Sequence, residues 1–356
     1  MAGEMKTWLL LFLLFASVGI AAGCKAGSSG TTTPTPIPTQ SNRAGVDVLA
    51  LGDDFIVGLG TTTCGVPPGV ASSCNTSPSD PGVNASVNPQ GWAQMFGGYV
   101  ASTPRWQPSG FTGLGVNFAL TGDAPKPEGP GGDLLTNSSQ VPQLAGFVTT
   151  IRSTNIKTLI VIQSGINDVL DAFYSATCTG GGGTVVGGGG ATYAAPCTAS
   201  GTTLAPGGNA RNGTLYAAYS AILADMTTFA GGEPEGVLVV GVPNLGRFPF
   251  CITEFGSSAS AQCTALTTDA QLADTAIQDA IADAADKQIA YVDWYTFLET
   301  NPTYYGATYF ATDGLHLDNG GNTVLTQQVV QPAFLAAVNA GTLNMSKAVA
   351  PPGSAR

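Results

Sequence analysis

Five short apolar runs constrain this chain more than any other feature: Val46 to Leu51, Gly113 to Leu120, Thr158 to Gln163, Gly236 to Gly241 and Gln288 to Asp293. Each has the length of a strand, and the cleanest, Thr158-Leu-Ile-Val-Ile-Gln163, is apolar almost throughout instead of alternating. An unbroken apolar run is what a strand buried on both faces requires. Between the runs lie helical stretches at Gly91 to Ser102, Val141 to Ile151, Thr214 to Ala230 and Leu266 to Lys287, with a closing helix over Asn319 to Asn339. Strands that alternate with helices predict an α/β fold, a parallel sheet covered on both sides. Gly58 to Pro89 and the Pro- and Gly-rich stretch Asp123 to Asn137 read as loops, and no repeat or second domain interrupts the pattern.

A parallel sheet collects its chemistry at the carboxyl edge. The first run stops at Gly52 and is followed there by two acids, Asp53 and Asp54, which suit either a site or an acidic cap on the next helix. His316 is the only histidine, and Asp313 precedes it by three residues. A lone histidine is most often a surface or core residue. This one stands between the last strand and the last helix, on a loop able to reach the end of the first strand. An Asp at that spacing can accept the Nδ1 proton and leave Nε2 to act as a base.

Composition narrows the function classes. With 12 Lys and Arg and a formal charge of -11, the chain is unsuited to nucleic acid. Only 10% of residues are charged and 44% are hydrophobic, enough for one large core. Lys6 followed by the apolar run Trp8 to Ile20 predicts an export signal, too short for a comfortable membrane span. It ends in Ala21-Ala22-Gly23-Cys24, which resembles the lipobox of bacterial lipoproteins and implies a membrane anchor through a lipidated Cys24 on a periplasmic or surface-exposed protein, with plain secretion as the alternative. Residues 25–43, rich in Ser, Thr, Gly and Pro, read as a tether. The folded domain is then expected over 44–342, with a loose tail at 343–356. The other six cysteines fall in close couples, Cys64 and Cys74, Cys178 and Cys197, Cys251 and Cys263, which suggests three local disulfides, although six cysteines allow 15 connectivities. A metal site is the competing reading. A single His and the lack of C-x-x-C speak against it, and no metal or cofactor is expected. The segment Cys178 to Cys197 holds two glycine tetrads and cannot bury a core of its own.

The segments at the strand ends resemble, in order, the sequence blocks of the SGNH hydrolases, the GDSL lipase/esterase family. Gly52-Asp53-Asp54 resembles the G-D-S-L block, Asn117 to Gly122 the block ending in the oxyanion-hole glycine, Gly165-Ile166-Asn167-Asp168 the G-x-N-D block, and Asp313-Gly314-Leu315-His316 the D-x-x-H block. Val242 to Pro249 is similar to the Pro-Leu-Gly segment of plant-like members. The resemblance implies a three-layer αβα sandwich, flavodoxin-like, with five parallel strands. It implies Gly122 and Asn167 as oxyanion donors, His316 as base and Asp313 as its orienter. The partner it implies is a small-molecule ester of lipid, acyl or acetylated-glycan type. The family's nucleophilic Ser falls on Asp54, an ionised carboxylate that favours an imidazolium beside it and competes for the oxyanion donors. Three readings stay open: a hydrolase in which Asp54 attacks or helps His316 to activate water, a non-catalytic ligand-binding protein with the same pocket, or a recent change in an otherwise active lineage. Ser164 is a substitute nucleophile to be weighed. The Cys178–Cys197 insertion is expected near the pocket mouth, as a lid or as an inert loop.

Overall fold

The carboxyl ends of four parallel strands stand level, and everything that follows depends on that line. A computed structural model describes residues 46–58, 60–61, 83–84, 91–102, 116–117, 157–175, 184–186, 192–194, 204–227, 234–284 and 288–345. Residues 1–45, with the export segment and Cys24, lie outside these, as do Gly122, the helix expected over Val141 to Ile151, and the Cys64–Cys74 and Cys178–Cys197 couples.

The main sheet has the order β2-β3-β1-β4-β7-β8, with β1 (Val46–Gly52), β2 (Val83–Asn84), β3 (Val116–Asn117), β4 (Lys157–Gln163), β7 (Gly236–Val240) and β8 (Ile289–Val292). β1, β4, β7 and β8 are mutually parallel, and their last residues pair across the sheet as Gly52↔Gln163, Gln163↔Val240 and Val240↔Val292. β4 and β7 are buried along their whole length, as unbroken apolar runs demand. The long parallel strands number four among the described residues. Of the expected second strand, Gly113 to Leu120, only Val116–Asn117 is described, parallel to β1. β2 is antiparallel to it and lies inside the stretch expected to be loop.

Helices α2 (Trp92–Ser102), α8 (Asn319–Val324) and α9 (Gln331–Ala340) form one layer, joined by edge-to-face packing of Phe96 on Phe334. Helices α3 (Ile166–Ser175), α4 (Thr214–Thr227) and α6 (Ala261–Asp283) form the other. Short helices α1 (Asp54–Val57), α5 (Pro249–Phe255) and α7 (Trp294–Thr300) follow β1, β7 and β8. The result is the expected α/β sandwich. α6 begins five residues before the expected Leu266 because Ser260 caps it, its hydroxyl accepting the Cys263 N–H at 3.2 Å. Between α8 and α9 the chain widens to a π-helical stretch, Leu325–Val330. Pro332, which lacks an N–H and whose ring crowds the preceding turn, accounts for the distortion.

One boundary shifts. The packed chain runs past the expected limit at 342: Leu343 and Met345 are fully buried, and Asn344 is pinned by its N–H to Glu235 O (3.0 Å) and its carbonyl from Lys157 Nζ (2.8 Å). The glycine-rich insertion carries an antiparallel pair, β5 (Thr184–Val186) with β6 (Thr192–Ala194), where β-branched and aromatic residues interrupt the glycines. Cys251 and Cys263 are bonded, joining α5 to α6 with 5.9 Å between their Cα atoms.

Candidate active site

Gly52 ends β1 against the backbone of β4, so closely that a Cβ on it would lie 2.1 Å from Gln163 O. No other residue fits there. Two acids follow it. Asp53 is buried; its N–H bonds Gln163 O at 3.3 Å, and its Oδ1 accepts the Phe55 N–H at 3.2 Å, as a cap on α1 does. Asp54 is the first residue of that helix. The cap reading of the acidic pair therefore holds for Asp53.

His316 and Asp313 sit on a loop closed like a hairpin. Phe310 and Leu317 form a β-bridge, Ala311 N–H bonds His316 O at 2.8 Å, and Asp318 N–H bonds Tyr309 O at 3.1 Å. Within it the Asp313 carboxylate is fully engaged. Oδ1 accepts the N–H groups of Leu315 (3.0 Å) and His316 (3.1 Å), and Oδ2 lies 2.5 Å from His316 Nδ1. Burial works to raise the Asp313 carboxyl, but the hydrogen bond and charge of His316, helped by the two N–H groups, outweigh it and hold the carboxyl below its ordinary value. An ionised Asp313 accepts a hydrogen bond from Nδ1–H, so the neutral ring carries its lone pair on Nε2.

The loop meets the turn after β1 on both sides of the capped helix. The buried His316 ring packs on Phe55 with centroids 5.3 Å apart, and Phe55 in turn packs on Trp294 at 6.1 Å. Gly60 presses on the same loop: a Cβ there would sit 2.8 Å from His316 Cβ. The imidazole is thus brought to the segment that Asp54 opens.

Asn167, half-buried, is the second residue of α3 and emerges beside the end of β1, since β1 and β4 end in register. Gly122 lies outside the described residues. Ser164 is buried at the end of β4 and its Oγ makes no hydrogen bond, so it is not coupled to His316. Among the described residues no group of three or more His, Cys, Asp or Glu side chains could hold a metal ion.

Two features at this edge escape the sequence reading. Asp274 accepts from Val242 N–H (3.2 Å), Gln278 Nε2 (2.9 Å) and the Tyr291 hydroxyl, and burial above all pushes its carboxyl up to about 6. Its signal was an Asp among Ala270, Ala273 and Ile277, a polar residue on the core face of a helix. The other is Glu299, which accepts from Asn244, Arg247 and Tyr305, partners separated from it along the chain and invisible to spacing.

A comparison with individual curated proteins finds no match. The family model described as GDSL-like Lipase/Acylhydrolase matches residues 48–329, from β1 through the His316 loop and into the helical run that follows it. The chain belongs to the GDSL-like lipase and acylhydrolase family, the SGNH hydrolases, whose members hydrolyse esters.

Proposed function

We propose that the protein hydrolyses carboxylic esters of lipid, acyl or acetylated-glycan type, with His316 as general base and water as the nucleophile where the family uses a serine hydroxyl. The observation that carries this reading is the Asp313–His316 pair, joined at 2.5 Å and seated on Phe55, the residue next to position 54. Asp313 sets the tautomer in which Nε2 can take a proton from water. The water oxygen bonds to the ester carbonyl carbon as its proton passes to Nε2, and the carbonyl electron pair moves to oxygen. Collapse of the intermediate breaks the ester C–O bond, and the Nε2 proton goes to the departing alkoxide. Acid and alcohol are the products. Asn167 and Gly122, by family resemblance, would stabilise the oxyanion. A carboxylate at position 54, where the family resemblance places the nucleophile, would oppose them by its charge, and slow turnover is the expected result.

The same aspartate favours a second reading, a non-catalytic protein that holds an ester in this pocket. Hydrolysis of short-chain nitrophenyl esters by the natural protein, Asp54→Ser and His316→Ala separates the two. Turnover by the natural protein that is lost in His316→Ala, and rises roughly tenfold or more in Asp54→Ser, supports the hydrolase. Turnover and fluorophosphonate labelling only in Asp54→Ser would make the natural protein a binder. Silence in all three would end the hydrolytic reading.

A further inference from the structure

We infer that Glu299 is a positioning residue for the His316–Asp313 pair, acting through the segment that follows β7. The inference rests on the reading of His316 as the general base. Glu299, in α7, draws three donors from two different parts of the chain onto its two oxygens. Oε1 accepts Asn244 Nδ2 at 2.9 Å and the Tyr305 hydroxyl at 2.8 Å, while Oε2 accepts Arg247 at 2.9 Å. The Arg247 guanidinium also stacks over the Tyr305 ring, 4.6 Å from its centroid. Asn244 is buried and its other end is occupied as well, Oδ1 accepting Gly246 N–H (3.1 Å) and Thr267 Oγ1 (2.8 Å). This fixes the turn Leu245–Arg247 on α6 and α7.

Two contacts pass from that turn to the histidine loop. Phe248 packs on Phe310, the first residue of the loop's β-bridge, at 4.7 Å between centroids. The N–H of Phe250, in the first turn of α5 where the helix has no internal acceptor for it, bonds Gly314 O at 3.0 Å. Gly314 stands between Asp313 and His316. A shift of the turn therefore moves the loop that sets the Asp–His geometry.

A carboxylate is needed at 299 because acceptors are required at both oxygens. In Glu299→Gln one end becomes an amide donor, facing either Arg247 or the Asn244–Tyr305 pair, and one tie is cut. The side chain is partly exposed, and the substitution is isosteric, so the fold should persist. Misplacing a base by a fraction of an ångström to 1 Å predicts a kcat lower by about tenfold or more, with KM little changed. A readout independent of turnover exists because His316 is the only histidine: the downfield proton NMR signal of the short Nδ1–Asp313 hydrogen bond. That signal is expected in the natural protein and weakened or lost to exchange in Glu299→Gln. Tyr305→Phe, which removes one donor, should move both readouts the same way by less, and Arg211→Gln, whose ion pairs with Asp279 and Asp283 are exposed, should move neither. An unchanged signal and unchanged kcat in Glu299→Gln would overturn the inference. Loss of the signal in a protein with no turnover would leave the positioning role standing and remove only the hydrolytic reading.

Discussion

At Asp313 one oxygen is given to the backbone and the other to the imidazole, and the division has a direct consequence for a variant. Asp313→Asn can keep its Oδ1 on the N–H groups of Leu315 and His316. Its amide nitrogen would then face Nδ1, and the ring must present a lone pair there and carry its proton on Nε2. That tautomer cannot take a proton from water. Ester turnover should fall on the order of a thousandfold, with the circular dichroism spectrum unchanged. Retention of more than a tenth of the activity would mean that tautomer control by Asp313 is not what the site depends on. At this scale the sequence was legible where partners are close: a spacing of three is enough to pair Asp313 with His316. It was ambiguous at Asp53 and Asp54, because an N-cap and a site acid have the same composition, and only the N–H of Phe55 identifies Asp53 as the cap.

Elements were legible in proportion to how much of their stability is local. β1, β4, β7 and β8 fall on the apolar runs, and α2 and α4 fall close to their expected stretches. The short helices α1, α5 and α7 do not announce themselves, since four to seven residues carry too little periodicity and owe their form to packing. Glycines at the ends of elements show how contact adds to conformation. Gly256 and Gly314 both have left-handed backbones, with φ of +79° and +69°. A Cβ on Gly256 would meet nothing within 4 Å, whereas one on Gly314 would lie 2.6 Å from Phe250 N. Gly256→Ala should therefore lose only about 1 kcal/mol of stability, the usual cost of a left-handed alanine, and keep its turnover. Gly314→Ala bears the same cost and must also break the Phe250 hydrogen bond, so it should lose most turnover. Paired denaturation curves and nitrophenyl ester assays read the difference, and equal turnover in the two variants would contradict the close approach of α5 to the histidine loop.

For the molecule as a whole, two acids among the described residues pull the response to pH in opposite directions. The Asp313 carboxyl is held low in the fold, so its contribution to stability is present above the ordinary carboxylate range and disappears as pH falls through the depressed value. Asp274 behaves the other way. Its carboxyl rises from an ordinary 3.8 to about 6 on folding. Between those values the folded chain holds a proton that the unfolded chain has released, so stability from this group is greatest below 3.8 and is lost as pH climbs through about 6. Helical spacing put Asp274 on the core face of α6, but the raised value comes from burial between α6 and the end of β7 and exists only once the two have packed together. Asp274→Asn removes the titration, and its carboxamide oxygen can still accept from Val242 and Tyr291, with Gln278 turned to offer its own oxygen. The variant should match the natural protein in urea unfolding near pH 4 and exceed it by on the order of 2 kcal/mol at pH 8. A difference between the two that does not change across that interval would show that Asp274 ionises in the fold as it does in water.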